Sequence, residues 1–133
     1  MATIYIPDLL TGSDKIVQFV LWTDATKTVA INLNNLTNII VWIYDSSLNV
    51  IERYAKIATA GHNVTDFKVT DAVNGEFEIN MRRETLLTAC EGTLSFEIKY
   101  AETDVDFTNS KYVSYGRESI FNIIHTLSQD QSL

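Results

Sequence analysis

The sequence predicts an all-β sandwich, and three observations lead there. Eight or nine short segments alternate apolar and polar residues with the period of two that a half-buried antiparallel strand requires. Turn-forming residues separate them roughly every 8–12 residues. No segment carries a sustained helical period to compete with these strands.

The clearest unit is residues 74–100, NGEFEINMRRETLLTACEGTLSFEIKY. Phe77, Ile79 and Met81 alternate with Glu76, Glu78 and Asn80. Leu94, Phe96, Ile98 and Tyr100 alternate with Ser95, Glu97 and Lys99. Between these strands, Glu84, Thr85, Leu86, Leu87 and Thr88 predict one helical turn with Gly92 at its exit, since glycine enters positive φ without steric cost.

In chain order, residues 3–10 carry apolar side chains at Ile4, Ile6, Leu9 and Leu10, interrupted by Pro7, and predict a short edge strand or extended arm. Residues 11–14 predict a turn by composition. Residues 15–22 (KIVQFVLW) predict a strand that is apolar on nearly both faces, and residues 28–33 a short one. Residues 38–44 (NIIVWIY) are the most hydrophobic strand, paired as a hairpin with 50–54 through Asp45-Ser46-Ser47. Residues 66–70 predict another strand, followed by a turn ending in Asn74-Gly75. The acidic, aperiodic residues 101–111 predict a surface loop. Residues 112–115 and 119–125 predict a last strand bent at Gly116, ahead of a polar tail at 126–133.

The totals narrow the function classes. A chain of 133 residues with 46% hydrophobic and 20% charged content suits one domain, able to bury roughly 65–70% of its unfolded surface. Residues 1–10 and 126–133 are candidate arms. The net charge is −7 and the isoelectric point about 4.6, which opposes binding to a phosphate backbone. The N-terminal residues lack the pattern of a signal peptide, and no apolar run reaches the length of a membrane span. One cysteine permits no intrachain disulfide. These features lead us to expect synthesis in a cytoplasm and neither nucleic-acid nor membrane partners.

No reaction is spelled out, and no catalytic, cofactor or metal residues are expected. His62 and His125 lack further ligands at zinc spacing. Asp24, Asp45, Asp66, Asp71, Asp104 and Asp106 lie in or beside turns, where aspartate gathers for local hydrogen bonding as readily as for calcium. Cys90 follows a short helix and neighbours Glu91, poor surroundings for a nucleophile, and suggests a buried or half-buried inert thiol. Two binding classes survive. Trp22, Trp42, Tyr44, Tyr54, Tyr112 and Tyr115 could supply an aromatic platform for sugar, with Trp22, Trp42 and Tyr44 as its first candidates, as in a carbohydrate-binding module or adhesin. Alternatively, strands apolar on both faces and thinly protected edges suit assembly with other proteins. Ile4, Ile6, Trp22, Trp42, Phe121, Ile123 and Leu127 are then the candidate interface residues.

The order of elements resembles the immunoglobulin-like domain of tailed-bacteriophage virion proteins, of the type at the N-terminus of baseplate upper proteins. The matching run is the apolar strand at 15–22, Asn35-Leu36-Thr37 before the strand at 39–44, and Val50-Ile51. Asn74-Gly75 opening 76–81, the helical turn at 83–88, and Gly92-Thr93-Leu94 leading to Tyr100 complete it. It spans roughly residues 10–125. The resemblance implies an immunoglobulin-like antiparallel β-sandwich without catalytic residues, and lacks the cysteine pair of antibody domains. Baseplate upper proteins continue into stalk or fibre segments where this sequence stops. The expected role is therefore a capsid decoration protein, head-fibre anchor or tail adaptor, including those of crAss-like phages. It would be an oligomer or part of a hetero-oligomer in the virion, docked on capsid, fibre or tail proteins.

Overall fold

The computed structural model describes residues 2–5, 9–10, 14–23 and 26–124 of the 133. Among them the chain forms β1 (Ala2–Tyr5), β2 (Leu9–Leu10), β3 (Lys15–Leu21), β4 (Leu36–Tyr44), β5 (Val50–Ala55), β6 (Phe67–Asp71) and β7 (Glu76–Met81). The helix α1 (Arg83–Leu87), β8 (Gly92–Asp104) and β9 (Phe107–Ile124) follow. One sheet has the order β1-β3-β7-β6 and the other β2-β9-β8-β4-β5. This is an immunoglobulin-like sandwich: β3, β7 and β6 stand as strands B, E and D, while β9, β8 and β4 stand as G, F and C, with β5 beyond C. The first ten residues contribute an edge strand to each sheet, β1 antiparallel to β3 and β2 parallel to β9. The other strand pairs are antiparallel.

Alternation places Val17, Phe19 and Leu21 of β3 and Phe77, Ile79 and Met81 of β7 in the core. From the other sheet come Ile39, Val41 and Ile43 of β4 and Leu94, Phe96 and Ile98 of β8. Phe19 stacks on Phe77 at 5.1 Å, Phe77 stacks on Phe67 at 4.8 Å, and Phe19 meets Phe96 edge-on at 5.1 Å. Strands B and F are the pair that a disulfide joins in antibody domains; here a phenyl contact spans the layers. Leu86, fully buried, pins α1 to this core, and the Asp14 carboxylate accepts from the Arg83 N–H at 2.6 Å at the helix start.

Four expectations change. Residues 28–33 make no strand: Ala30 forms an isolated bridge with Trp22, and Leu33–Asn35 is a 3-10 turn capped by the Asn32 side chain. The Ile31 N–H donates to Leu21 and the Leu33 N–H to Ala72, so this segment is stitched to two different partners rather than to one ladder. Gly92 does not end the helix. It opens β8 at φ +120, where a Cβ would meet the Ser46 side chain at 2.8 Å. Cys90 is exposed, because its place in the chain is fixed by its backbone N–H, donated to Asp45 at 3.2 Å, rather than by packing of its thiol. Finally, residues 101–111 are not a loop but the end of a long hairpin. The bend at Gly116 is present as a register shift, with Phe96 opposite Glu118 and Ile98 opposite Tyr115.

Candidate functional site

On β4 the residues between the core positions, Ile40, Trp42 and Tyr44, face outward across the second sheet. Register sets Ile40 beside Lys99 and Trp42 beside Glu97 on β8, and Ala101 beside Tyr112 on β9. A groove of about 350 Å³ opens on this face, lined by Ile40, Trp42, Thr59, His62, Lys99 and Tyr112 among others.

The wall opposite β8 is the segment after β5. Asn38 holds it: its Oδ1 accepts from the Ile57 N–H at 3.1 Å, and its Nδ2 donates to Thr59 Oγ1 at 3.2 Å. The Thr59 hydroxyl in turn donates to the Ile57 carbonyl at 2.7 Å. His62 is then fixed by Nδ1, 2.9 Å from the Ala60 carbonyl. A carbonyl can only accept, so Nδ1 carries the proton and Nε2 of the neutral ring is an acceptor. Nε2 is buried and has no hydrogen-bond partner among the described residues. Lys99 extends its ammonium over the Tyr112 ring, 4.9 Å from the centroid. Farther along β4, Tyr44 donates to Glu97 at 3.3 Å; burial, then the charge of Glu97, raises the phenol above its ordinary pKa.

A second feature stands at one end of the sandwich. The β4–β8 ladder ends with Leu36 opposite Glu102, whereas β8 and β9 continue as a two-stranded ribbon to Asp104 opposite Phe107. Asp104 closes the turn by accepting the Asp106 N–H at 2.9 Å, and Lys111 lies 3.8 Å from Glu102 across the ribbon. The ribbon presents Val105 fully exposed and Phe107 at 52%.

Asp45, Asp66, Asp71 and Asp104, among the aspartates considered for calcium, are occupied locally. Asp45 accepts from the N–H groups of Ser47, Asn49 and Cys90, clipping the β4–β5 turn to the start of β8. Asp66 receives two bonds from Arg82, both 2.8 Å, and one from Asn63 at 2.8 Å. Asp71 holds Asn74 at 2.8 Å. Asp24 and His125 lie outside the described residues, and among those described no three His, Cys, Asp or Glu gather as a metal-binding group. No described helix is long and apolar enough to cross a membrane.

Two of these carboxylates tie stability to pH. The Arg82 bond holds Asp66 below the usual carboxylate range against the opposing effect of burial. For Asp45 burial is the largest influence and raises the value, but the donated hydrogen bonds together outweigh it and the net shift is downward. A depressed folded-state value means stabilisation that is complete above the unfolded value, about 3.9, and is lost as pH falls through the folded values. Urea midpoints should therefore drop below about pH 4. Asp66→Asn should lower the midpoint at pH 7 and flatten the acid limb; an acid limb unchanged from the parent would show that Asp66 does not carry the dependence.

The structure separates the residues singled out from sequence. Trp42 and Tyr44 share the outer sheet face, but Trp22, half-buried, follows β3 in the other sheet, so the three do not form one platform. Ile4 of β1 pairs by backbone with Phe19 of β3, and Phe121 lies in β9. Ile123 is 2% exposed and belongs to the core, its backbone between Gly92 of β8 and Leu9 of β2; its packing partners are its own domain. Ile6, Leu127 and the arm at 126–133 lie outside the described residues. His62, Lys99, Val105 and Phe107 went unnoticed as a group. Only the Asp-flanked apolar pair Val105 and Phe107 left a local signal.

No family model, no curated protein and no solved structure matches this chain.

Proposed function

We propose that the domain is a non-enzymatic virion structural protein of a tailed bacteriophage, made in the host cytoplasm and docked in the particle on a capsid, fibre or tail protein. The observation that carries this reading is the β8–β9 ribbon, which lifts Val105 and Phe107 clear of the sandwich between Glu102, Asp104 and Asp106. An apolar tip with an acidic collar suits an apolar cleft with a basic rim on the partner. Backbone pairing along the ribbon also lowers the ordering cost of such a contact. The immunoglobulin-like strand order and the resemblance of residues 10–125 to phage virion domains supply the context.

The test is co-sedimentation of the purified domain with phage particles prepared without it. Burying two such side chains contributes about 1.5–3 kcal/mol each, so the double variant Val105→Asp, Phe107→Asp should lose more than about tenfold in affinity at an unchanged thermal midpoint. Undiminished occupancy of the variant would remove the ribbon from the interface.

A further inference from the structure

We propose that the groove on the outer face of β4, β8 and β9 is a glycan site that holds one pyranose unit, stacked by its C–H face on Trp42. The site is distinct from the ribbon tip and does not depend on the docking reading.

The argument rests on which chemistry completes the groove. Its apolar surfaces are Ile40, Trp42 and the Tyr112 ring. Two of its polar functions, one partly exposed and one buried, are opposite in kind. Lys99 can only donate, and its ammonium is held in place over Tyr112. In the neutral ring His62 Nε2 accepts, because the Ala60 carbonyl places the proton on Nδ1, and among the described residues nothing donates to it. The other polar side chains of that wall are already engaged: Asn38 by Ile39, Ile57 and Thr59, and Thr59 by Ile57.

A carboxylate would suit Lys99 but would face the lone pair of His62. An ammonium would suit His62 but would face Lys99. A purely apolar guest would leave the imidazole nitrogen unpaired in a drier groove, which buried polar groups resist. Hydroxyl groups donate and accept at once, and several of them on a ring with one apolar face are the defining chemistry of a pyranose. Such a ring lays its C–H face on indole while its rim hydroxyls reach Lys99 and His62. The volume of about 350 Å³ lies in the range of small-molecule pockets. Of the aromatic residues expected from sequence to form a sugar platform, Trp42 and Tyr112 belong to this site and Trp22 does not.

The experiment is a titration of the full chain, followed by the amide, indole and imidazole signals in NMR spectra. The probes are the methyl pyranosides of glucose, galactose, mannose and N-acetylglucosamine. At least one should move the Trp42 indole N–H and the His62 ring saturably while leaving the Trp22 indole in place. A dissociation constant on the order of 1 mM is expected for so small a guest. His62→Phe preserves a ring and deletes the acceptor, and should weaken that probe by about tenfold or more. Lys99→Met, on the surface of β8, should do likewise and serves as the deciding variant if His62→Phe does not fold. The ribbon variant Val105→Asp, Phe107→Asp should bind the probe as the parent does, which separates this site from the docking tip. The proposal is overturned if no pyranoside moves Trp42, if both indoles move alike, or if the folded His62 and Lys99 variants keep the parent affinity.

Discussion

Phe19→Ala lowers the unfolding free energy by about 3–5 kcal/mol, a large part of the roughly 5–15 kcal/mol that holds a domain of this size. Phe19 is 1% exposed and makes two ring contacts, stacked on Phe77 within its own sheet and edge-on to Phe96 in the other. Removing it leaves a hole between the layers, and also forfeits the aromatic pair terms of about 0.5–1.5 kcal/mol each that lie beyond area burial. Phe67, only partly buried at the outer end of the same stack, should cost clearly less when truncated. Urea denaturation at pH 7 checks both: the midpoint should fall steeply for Phe19→Ala with little change in slope. Equal losses at Phe19 and Phe67 would mean that the inter-sheet contact contributes nothing beyond ordinary burial.

That contact was half legible. The alternation in 15–22 and 94–100 put Phe19 and Phe96 on apolar faces, and the sandwich class followed from such faces. Which phenyl meets which depends on how the two sheets are laid together, and nothing local encodes it. The two misread segments fail for related reasons. Residues 28–33 alternate like a strand, yet Ile31 and Leu33 reach the core from a segment that bridges β3 and the turn after β6. Residues 101–111 read as a loop because the end of a ribbon extends past its sheet. With water on both sides, the period of two has nothing to select it.

The groove was less legible still. Trp42 was visible as an aromatic on an apolar strand, and the alternation of β4 put it opposite the core positions. His62 was weighed as a zinc ligand and set aside. It becomes informative only when the Asn38 side chain draws residues 57–59 against β4 and the Ala60 carbonyl fixes the ring tautomer. Lys99 and Tyr112 arrive from two further strands in a register that the bulge at Gly116 helps to set. Four short-range signals, each ordinary alone, converge through pairing between residues that lie far apart in sequence.

Gly75→Ala should cost about 3–4 kcal/mol, nearly as much as the core truncation, from the addition of one methyl group. Gly75 has φ +71, and a Cβ there would lie 2.6 Å from the Leu21 carbonyl oxygen and 2.9 Å from that of Ile31. Both obstacles are backbone, so neither can swing aside. The same carbonyl of Leu21 accepts the Ile31 N–H at 2.9 Å, while the Leu21 N–H donates to Gly75 at 3.0 Å. Relieving the overlap therefore breaks bonds worth about 1 kcal/mol each on top of a left-handed strain of roughly 1–2 kcal/mol. Gly61 is the matched control, since it has φ +75 with nothing within 4 Å of a Cβ; Gly61→Ala should lose the strain term alone, roughly 1–2 kcal/mol. The damage also has a direction. Ile31 and Asn32 border the root of the β8–β9 ribbon beside Tyr100 and Glu102, whereas His62 is held from β4 and its own loop. Amide shifts in folded Gly75→Ala should therefore concentrate at Leu21, Ile31 and Leu33 and spread to the ribbon, weakening particle docking while the pyranoside groove keeps its spectrum.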